Sequence, residues 1–318
     1  DVPIVEFRKE CRDFAEKWIN VHKDQFQRLG VIGDWENYYS TMSFPAEAQI
    51  VRELGKFLKQ GSLYKGYKPV LWSTVEKTAL ADAEVEYLEH SSDTIYASFP
   101  VKKTNFNNLE NCEIIIRTTT PLTIPANKAL AYNKSLKYLI LEVTSESDFK
   151  NKKLIVAKDL LNSFVDECKI EKFQIISEFL GNDFEGTICS HPFHNLGYDY
   201  DVPMLDARFV NTEQGTGIVH CAPSHGPDDF NLCLINGIKA IETVDGDGKY
   251  TKNVQLFEGI HIFKANPIVI EKLKEQKKLL SNGELIHSYP HSWRSKAPLV
   301  HRATPQWFIS MESHALRN

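Results

Sequence analysis

The order of hydrophobic patterns predicts an α+β fold: a barrel-like mixed β sheet with peripheral helices. Two observations carry this. Short β-prone runs recur through the middle of the chain with few helical stretches between them, whereas the first sixty or so residues are helical by spacing. The 318 residues, 42% hydrophobic and 25% charged, are also ordinary globular composition, enough for one large domain plus appendages.

Phe7, Cys11, Phe14, Trp18 and Val21 recur at helical spacing, and Gly30 follows as a stop. A second helix is predicted from about Pro45, with Ile50, Val51, Leu54, Phe57 and Leu58 inward and Gly61 at its end. Residues 1–67 therefore read as a helical appendage that packs on something outside these residues. From Lys68 to Tyr87 the pattern turns extended, and again from His287 to Pro298. Between them, strands are predicted at 113–117, 137–143, 153–157, 173–179, 187–190, 207–210 and 216–220, and helices at 158–168, 227–236 and 267–280. Asp1 stands where a start methionine would, and Asn318 shows no stop signature, so the chain reads as an internal piece of a longer protein.

A net charge of −5 argues against a generally basic nucleic-acid binder, although a local basic patch remains compatible with it. The six cysteines (Cys11, Cys112, Cys168, Cys189, Cys221 and Cys233) are scattered with no C-x-x-C pair, so a reducing, cytoplasmic setting is expected. No apolar run reaches the length of a membrane span, and no signal peptide opens the chain.

Chemistry concentrates in two stretches. The run Gly215-Thr-Gly-Ile-Val-His220-Cys-Ala-Pro-Ser-His225-Gly-Pro-Asp-Asp229 gathers glycines, two histidines and two adjacent carboxylates. Glycines let backbone approach a ligand, and Gly-Pro-Asp-Asp reads as a helix start with acids in its first turn. A carboxylate at that corner can grip an ammonium group; the plainer alternative is a glycine turn before an ordinary helix. The second stretch, Glu113-Ile-Ile-Ile-Arg117-Thr-Thr-Thr120-Pro-Leu-Thr-Ile-Pro-Ala-Asn127, reads as a buried strand that breaks at Pro121 and presents hydroxyls at its end. A threonine run by itself is also plain β-propensity.

Taken together these stretches resemble the editing (CP1, connective polypeptide) region of isoleucyl-tRNA synthetases. The resemblance extends over nearly the whole chain, through Leu29–Trp35, Ala81–Tyr87, Val156–Leu160, Gly259–Asn266, His287–Arg294 and Arg302–Phe308. Valyl and leucyl relatives share the threonine and Gly-Thr-Gly elements, but their runs differ from His225-Gly-Pro-Asp-Asp229. The resemblance implies four segments: the appendage 1–67, a first stalk strand region 68–90, an editing domain 91–286, and a return stalk and link to a catalytic core 287–318. The nucleotide-site signatures HIGH and KMSKS do not occur, so aminoacylation itself is not expected.

Isoleucine and valine differ by one methylene, worth only ~1–3 kcal/mol in a pocket; the isoleucyl enzyme is itself the worked case of this limit. A second site must then hydrolyse mischarged valine. It needs a size limit, an amine anchor and a positioned water. The resemblance implies Asp229 as the anchor, with Asp228 a helix-start acid, and Thr118, Thr119 and Thr120 as hydroxyls binding the ester or the water. His220 is expected to line the side-chain pocket, with Asn127, Leu122, Thr123 and His225 as further substrate contacts; structural and turn roles are the alternatives for His220 and Asn127. No Ser-His-Asp or Cys-His arrangement is legible, which favours direct water attack. The expected partners are the tRNA(Ile) acceptor end carrying valine and the synthetase's catalytic core, in a monomer without membrane contact. No cofactor is expected in these residues, ATP and Mg being used by the absent core.

Two departures from the family stand out. Arg117 and Leu122 replace tryptophans usual there. Where many relatives hold a zinc ion on cysteine pairs of the stalk strands, this chain has Ser73, Glu76, Ser292 and Ser295, so no bound metal is expected. Two other readings stay open: a metal-dependent hydrolase using His191, His194, His220, His225 and Asp229, and a non-catalytic module that binds the tRNA acceptor end, with Lys128, Lys134 and Lys137 as candidate phosphate contacts.

Overall fold

The computed structural model describes residues 2–313 and Leu316. The backbone forms two compact units: residues 1–65 with 307–318, and residues 66–306.

The first unit holds α1 (Ile4–Arg28) and α2 (Phe44–Lys59). Pro45 falls in the first turn of α2, where its missing N–H costs nothing. Each helix ends just before the glycine read as its stop. Neither buries a single residue, and Phe14 and Trp18 remain 63% and 43% exposed.

The remaining elements in chain order are β1 (Leu63–Ser73), β2 (Thr78–Ala79), β3 (Val85–Lys103), β4 (Cys112–Thr118), β5 (Ala129–Tyr132), β6 (Lys137–Val143), β7 (Lys153–Ala157), α3 (Leu161–Glu167), β8 (Phe173–Leu180), β9 (Ile188–Ser190), β10 (Asp201–Asp206), β11 (Val219–Cys221), α4 (Pro227–Ile235), α5 (Asn266–Glu275), β12 (Leu279–Ser292) and β13 (Val300–Ile309). A small sheet runs β13-β1-β2. The large one runs β11-β5-β10-β9-β3-β4-β7-β6-β8, with β12 added on β3. It is mixed: β4 and β7 pair parallel, as do β10 and β5, and the other pairs are antiparallel.

The sheet does not close. It ends at β11, only three residues long, and at β8, whose Ile175, Ile176 and Leu180 stay largely exposed, so the expected barrel-like form reduces to an open mixed sheet. β4 shows how the sheet builds its core. Ile114, Ile115 and Ile116 are all fully buried: the outer two join the main core, and Ile115 faces a second core with Tyr96, Leu141 and Val156. Alternating side chains on a strand covered on both faces require this continuous apolar run.

Three predicted boundaries move. The strand expected at 207–210 lies at Asp201–Asp206 instead, in a run whose Pro203 argues against a strand. The strand expected at 216–220 starts only at Val219, because Gly215 and Gly217 adopt left-handed φ of +84° and +71°. The helix expected at 267–280 stops at Glu275; Lys277 turns the chain at φ +54° into β12. The two extended segments become β1 and the start of β3 on one side and the end of β12 on the other. β3 and β12 pair antiparallel from Val85↔Ser292 to Ala97↔Leu279. Among the described residues, no helix is long and apolar enough to cross a membrane.

Candidate functional site

The end of β4 and the short β11 supply the chemistry. Beyond Thr118 the chain turns into a 3-10 segment, Pro121–Ala126, that buries every one of its residues. The turn is held by its own hydroxyls. Thr120 N–H donates to Thr118 Oγ1 at 3.1 Å, and the Thr118 and Thr120 hydroxyls lie 3.2 Å apart. Thr123 Oγ1 donates to Thr120 O at 2.8 Å and lies 2.7 Å from His220 Nε2. On the far side of that ring, Asn127 Nδ2 donates to His220 Nδ1 at 3.1 Å and to Ala129 O at 2.9 Å.

This pattern assigns the tautomer. An amide N–H can only donate, so His220 Nδ1 accepts and Nε2 carries the proton toward Thr123. Burial, with the nearby His225 as a smaller contribution, lowers the His220 pKa to about 3. His220 is therefore a fixed neutral donor with no free basic nitrogen. Asn127 is fully buried, and its Oδ1 has no hydrogen-bond partner among the described residues.

Asp229 sits in the first turn of α4, after Gly226 and Pro227. Its Oδ2 accepts the Ala222 N–H at 2.8 Å, which ties it two residues beyond His220 rather than to the threonines. Burial raises its pKa to about 6, the Ala222 bond opposing and Asp228 adding to the rise. That is a carboxylate short of a cation. Asp228 is exposed on the same turn.

Two glycines shape the approach. A Cβ on Gly217 would stand 2.4 Å from the Ala157 Cβ, and one on Gly215 would touch Arg117. Backbone bonds pin this strip: Ala157 N–H donates to Thr216 O at 2.8 Å, and Tyr138 Oη donates to Gly217 O at 2.8 Å. Beside it opens a cleft of about 440 Å³ lined by Thr118, Thr119, the strip itself and several residues that the sequence reading did not assign: Phe209, Asn211, Gln214, Leu285 and His287. Arg117 lines it too.

Two expected contacts have other duties. His225 donates from Nδ1 to His301 O at 3.0 Å and accepts Thr243 Oγ1 at 2.9 Å on Nε2, so both ring nitrogens are engaged. Leu122 is buried in the main core; its N–H is held by Asn266 Oδ1 at 2.9 Å and its carbonyl by Tyr250 Oη. Asn266 and Tyr250 are further residues that the sequence reading missed; Asn266 closes the Gly259–Asn266 run that carried part of the resemblance.

A metal-binding arrangement finds no support in side-chain placement. His191 donates to Ile124 O, accepts Phe193 N–H and stacks on Tyr198, with burial lowering its pKa to about 3. Among the described residues, no three histidine, cysteine or acidic side chains converge to hold a metal. Ser73, Glu76, Ser292 and Ser295 do come together: the Glu76 carboxylate accepts Ser73 Oγ, Ser292 Oγ at 3.0 Å and Ser295 N–H at 3.1 Å.

The family model for class I tRNA synthetases (I, L, M and V) matches residues 1–318, and the chain belongs to that family. It is 79% identical over 317 residues to the isoleucine--tRNA ligase of Pelagibacter ubique (strain HTCC1062), covering all of this chain and 35% of that protein. With the isoleucine--tRNA ligase of Gluconobacter oxydans (strain 621H) it shares 48% identity over 328 residues, 98% of this chain and 34% of the relative. The chain thus spans about a third of the length of the curated relatives it matches, and the resemblance to isoleucyl enzymes stands. Among solved structures, the P. knowlesi cytosolic leucyl-tRNA synthetase editing domain overlays with a TM-score of 0.46 at 12% identity, covering 62% of this chain and 96% of that one.

Proposed function

We propose that this chain is an editing region that hydrolyses the ester of mischarged Val-tRNA(Ile), releasing valine and free tRNA. The observation that carries the reading is the hydroxyl chain Thr118–Thr120–Thr123 fixed on a neutral His220, with the cation-seeking carboxylate of Asp229 held on the N–H of Ala222, two residues past that histidine. Asp229 binds the α-ammonium of the aminoacyl group, which orients the ester without touching its side chain. The threonines supply donors and acceptors to the ester and to the attacking water, and the buried wall around His220 limits side-chain size.

Direct attack by water fits these groups better than a covalent intermediate. A threonine nucleophile needs a base, and the accepting nitrogen of His220 is filled by Asn127. Cys221 is buried, and burial with Asp229 nearby holds its thiol far above the usual range. The substrate's own vicinal ribose hydroxyl can then share the proton transfer, taking the proton of the attacking water as it passes its own to the departing ester oxygen. The acceptor end of tRNA(Ile) and the synthetase's catalytic core, where ATP and Mg act, are the partners this reading implies, in a cytoplasmic monomer.

The test is deacylation of Val-tRNA(Ile) beside Ile-tRNA(Ile), with and without chelator, by the protein and its Asp229→Ala variant. Chelator-resistant loss of valine alone, abolished by the substitution, is expected. Hydrolysis that survives Asp229→Ala would refute the anchor. Binding of tRNA with no hydrolysis of either substrate would favour the non-catalytic module.

A further inference from the structure

The outer wall of the cleft has a chemistry that ester hydrolysis leaves unused. Among the described residues that line it, Arg117 is the one Lys, Arg, Asp or Glu, so an anionic group of a ligand in the cleft meets a cation there. The Arg117 side chain is only 14% exposed, and its Nε has no hydrogen-bond partner among the described residues. The Glu167 carboxylate faces it at 3.6 Å, beyond hydrogen-bond length, and is itself 48% exposed. The Tyr96 ring, its cross-strand neighbour, lies 6.0 Å beneath the guanidinium. A guanidinium held on a rigid strand, largely desolvated and paired only loosely with the half-exposed Glu167 carboxylate, is suited to a planar, two-pronged contact with an oxyanion.

The remainder of the cleft is too large and too varied for a lone oxyanion. Its volume is about 440 Å³, and it carries the 39% exposed ring of Phe209, the amides of Asn211 and Gln214 and the imidazole of His287. These are groups that stack on a base and bond to its edges.

We infer that Arg117 holds the 5′-phosphate of a nucleotide whose sugar and base occupy this cleft. This rests on the proposed reading of the site as the receiver of a tRNA 3′ end, and it assigns Arg117 to the phosphodiester that precedes the aminoacylated terminal adenosine. Arg117 acts on substrate binding and register, and the ester chemistry stays with the threonines and Asp229. Glu167 competes with the phosphate for the guanidinium.

Isothermal titration of the protein with adenosine 5′-monophosphate, adenosine and inorganic phosphate tests this. The unaltered protein should prefer the nucleotide over adenosine by about tenfold, the worth of one charge-assisted contact. Arg117→Gln should erase that preference while leaving adenosine binding unchanged, and Arg117→Lys should restore part of it. In Arg117→Gln the slope of log affinity against log salt should fall by about 1. Glu167→Gln should widen the preference. This arm stands even if the Arg117 variants fold poorly, because a purely structural Arg117–Glu167 pair predicts no gain. Absence of nucleotide binding, a preference unchanged in Arg117→Gln, or inorganic phosphate binding as tightly as the nucleotide would each overturn the inference. The deacylation assay reads a different outcome. Hydrolysis that fails while the Arg117-dependent preference holds removes the editing reading alone, and the reverse result removes only the phosphate contact.

Discussion

Burial holds the Asp229 carboxyl at about 6, well above the ordinary 3.8 of an aspartate. Between those two values the folded protein keeps a proton that the unfolded chain releases, so the group lowers stability as pH rises, and the full penalty is present above about pH 6. Asp229→Asn keeps an acceptor for the Ala222 N–H and removes the charge. We expect it to raise stability at pH 7 by on the order of 2 kcal/mol, with no gain near pH 3.5. Equal denaturant midpoints for the two proteins at pH 7 would contradict this. The same ionisation governs the proposed chemistry, because only the carboxylate can hold an ammonium. The free protein's kcat/KM for Val-tRNA(Ile) should therefore climb through an apparent pKa of about 6. His220, neutral down to about pH 3, adds no step of its own above pH 5. A limb near 6 that persists in Asp229→Asn would point to another group.

The Gly215–Gly217 strip decides whether β7, the cleft and β11 fit together. Gly217 combines a φ of +71° with a Cβ position 2.4 Å from the Ala157 Cβ, so Gly217→Ala must both strain the backbone and push β7 away. A loss of at least about 1–3 kcal/mol is expected; a shift under about 0.5 kcal/mol in chemical denaturation would mean the strip yields easily. What the sequence made legible follows the same physics. β4, β6 and β7 announced themselves as continuous β-branched and leucine runs because both faces of the sheet are covered. α4 was legible from Gly226, Pro227 and the two acids. β5 was missed: Ala129-Leu-Ala-Tyr132 carries little β-propensity and is a strand only because β10 and β11 flank it. The cleft wall was half legible. Motifs marked Thr118, Thr119 and the glycines, whereas Leu285 and His287 reach it only through the long pairing of β12 with β3, a contact no local pattern encodes.

Across the whole molecule, buried titratable groups of opposite sense compete. His191 and His220 are held at about 3 and His225 at about 4, each chiefly by burial. Their bonds are those of neutral rings: each donates from one nitrogen and accepts on the other. An unfolded histidine titrates near 6.5, so below that pH the unfolded chain takes up protons that these three refuse when folded. Stability then falls as pH drops from about 6.5 toward 4. Asp229 works in the other direction, because acidification relieves its penalty. At pH 5 each histidine costs about 2 kcal/mol against roughly 1 kcal/mol regained at Asp229, so the histidines win by several kcal/mol. The protein should be markedly less stable at pH 5 than at pH 7. Its unfolding at pH 5 should also take up at least about two protons: nearly three to the histidines, less nearly one released by Asp229. Calorimetric unfolding in buffers of different ionisation enthalpy measures that number directly. Zero or negative uptake would mean that the three rings are not held neutral, and the role of His220 as a fixed donor to Thr123 would fall with it.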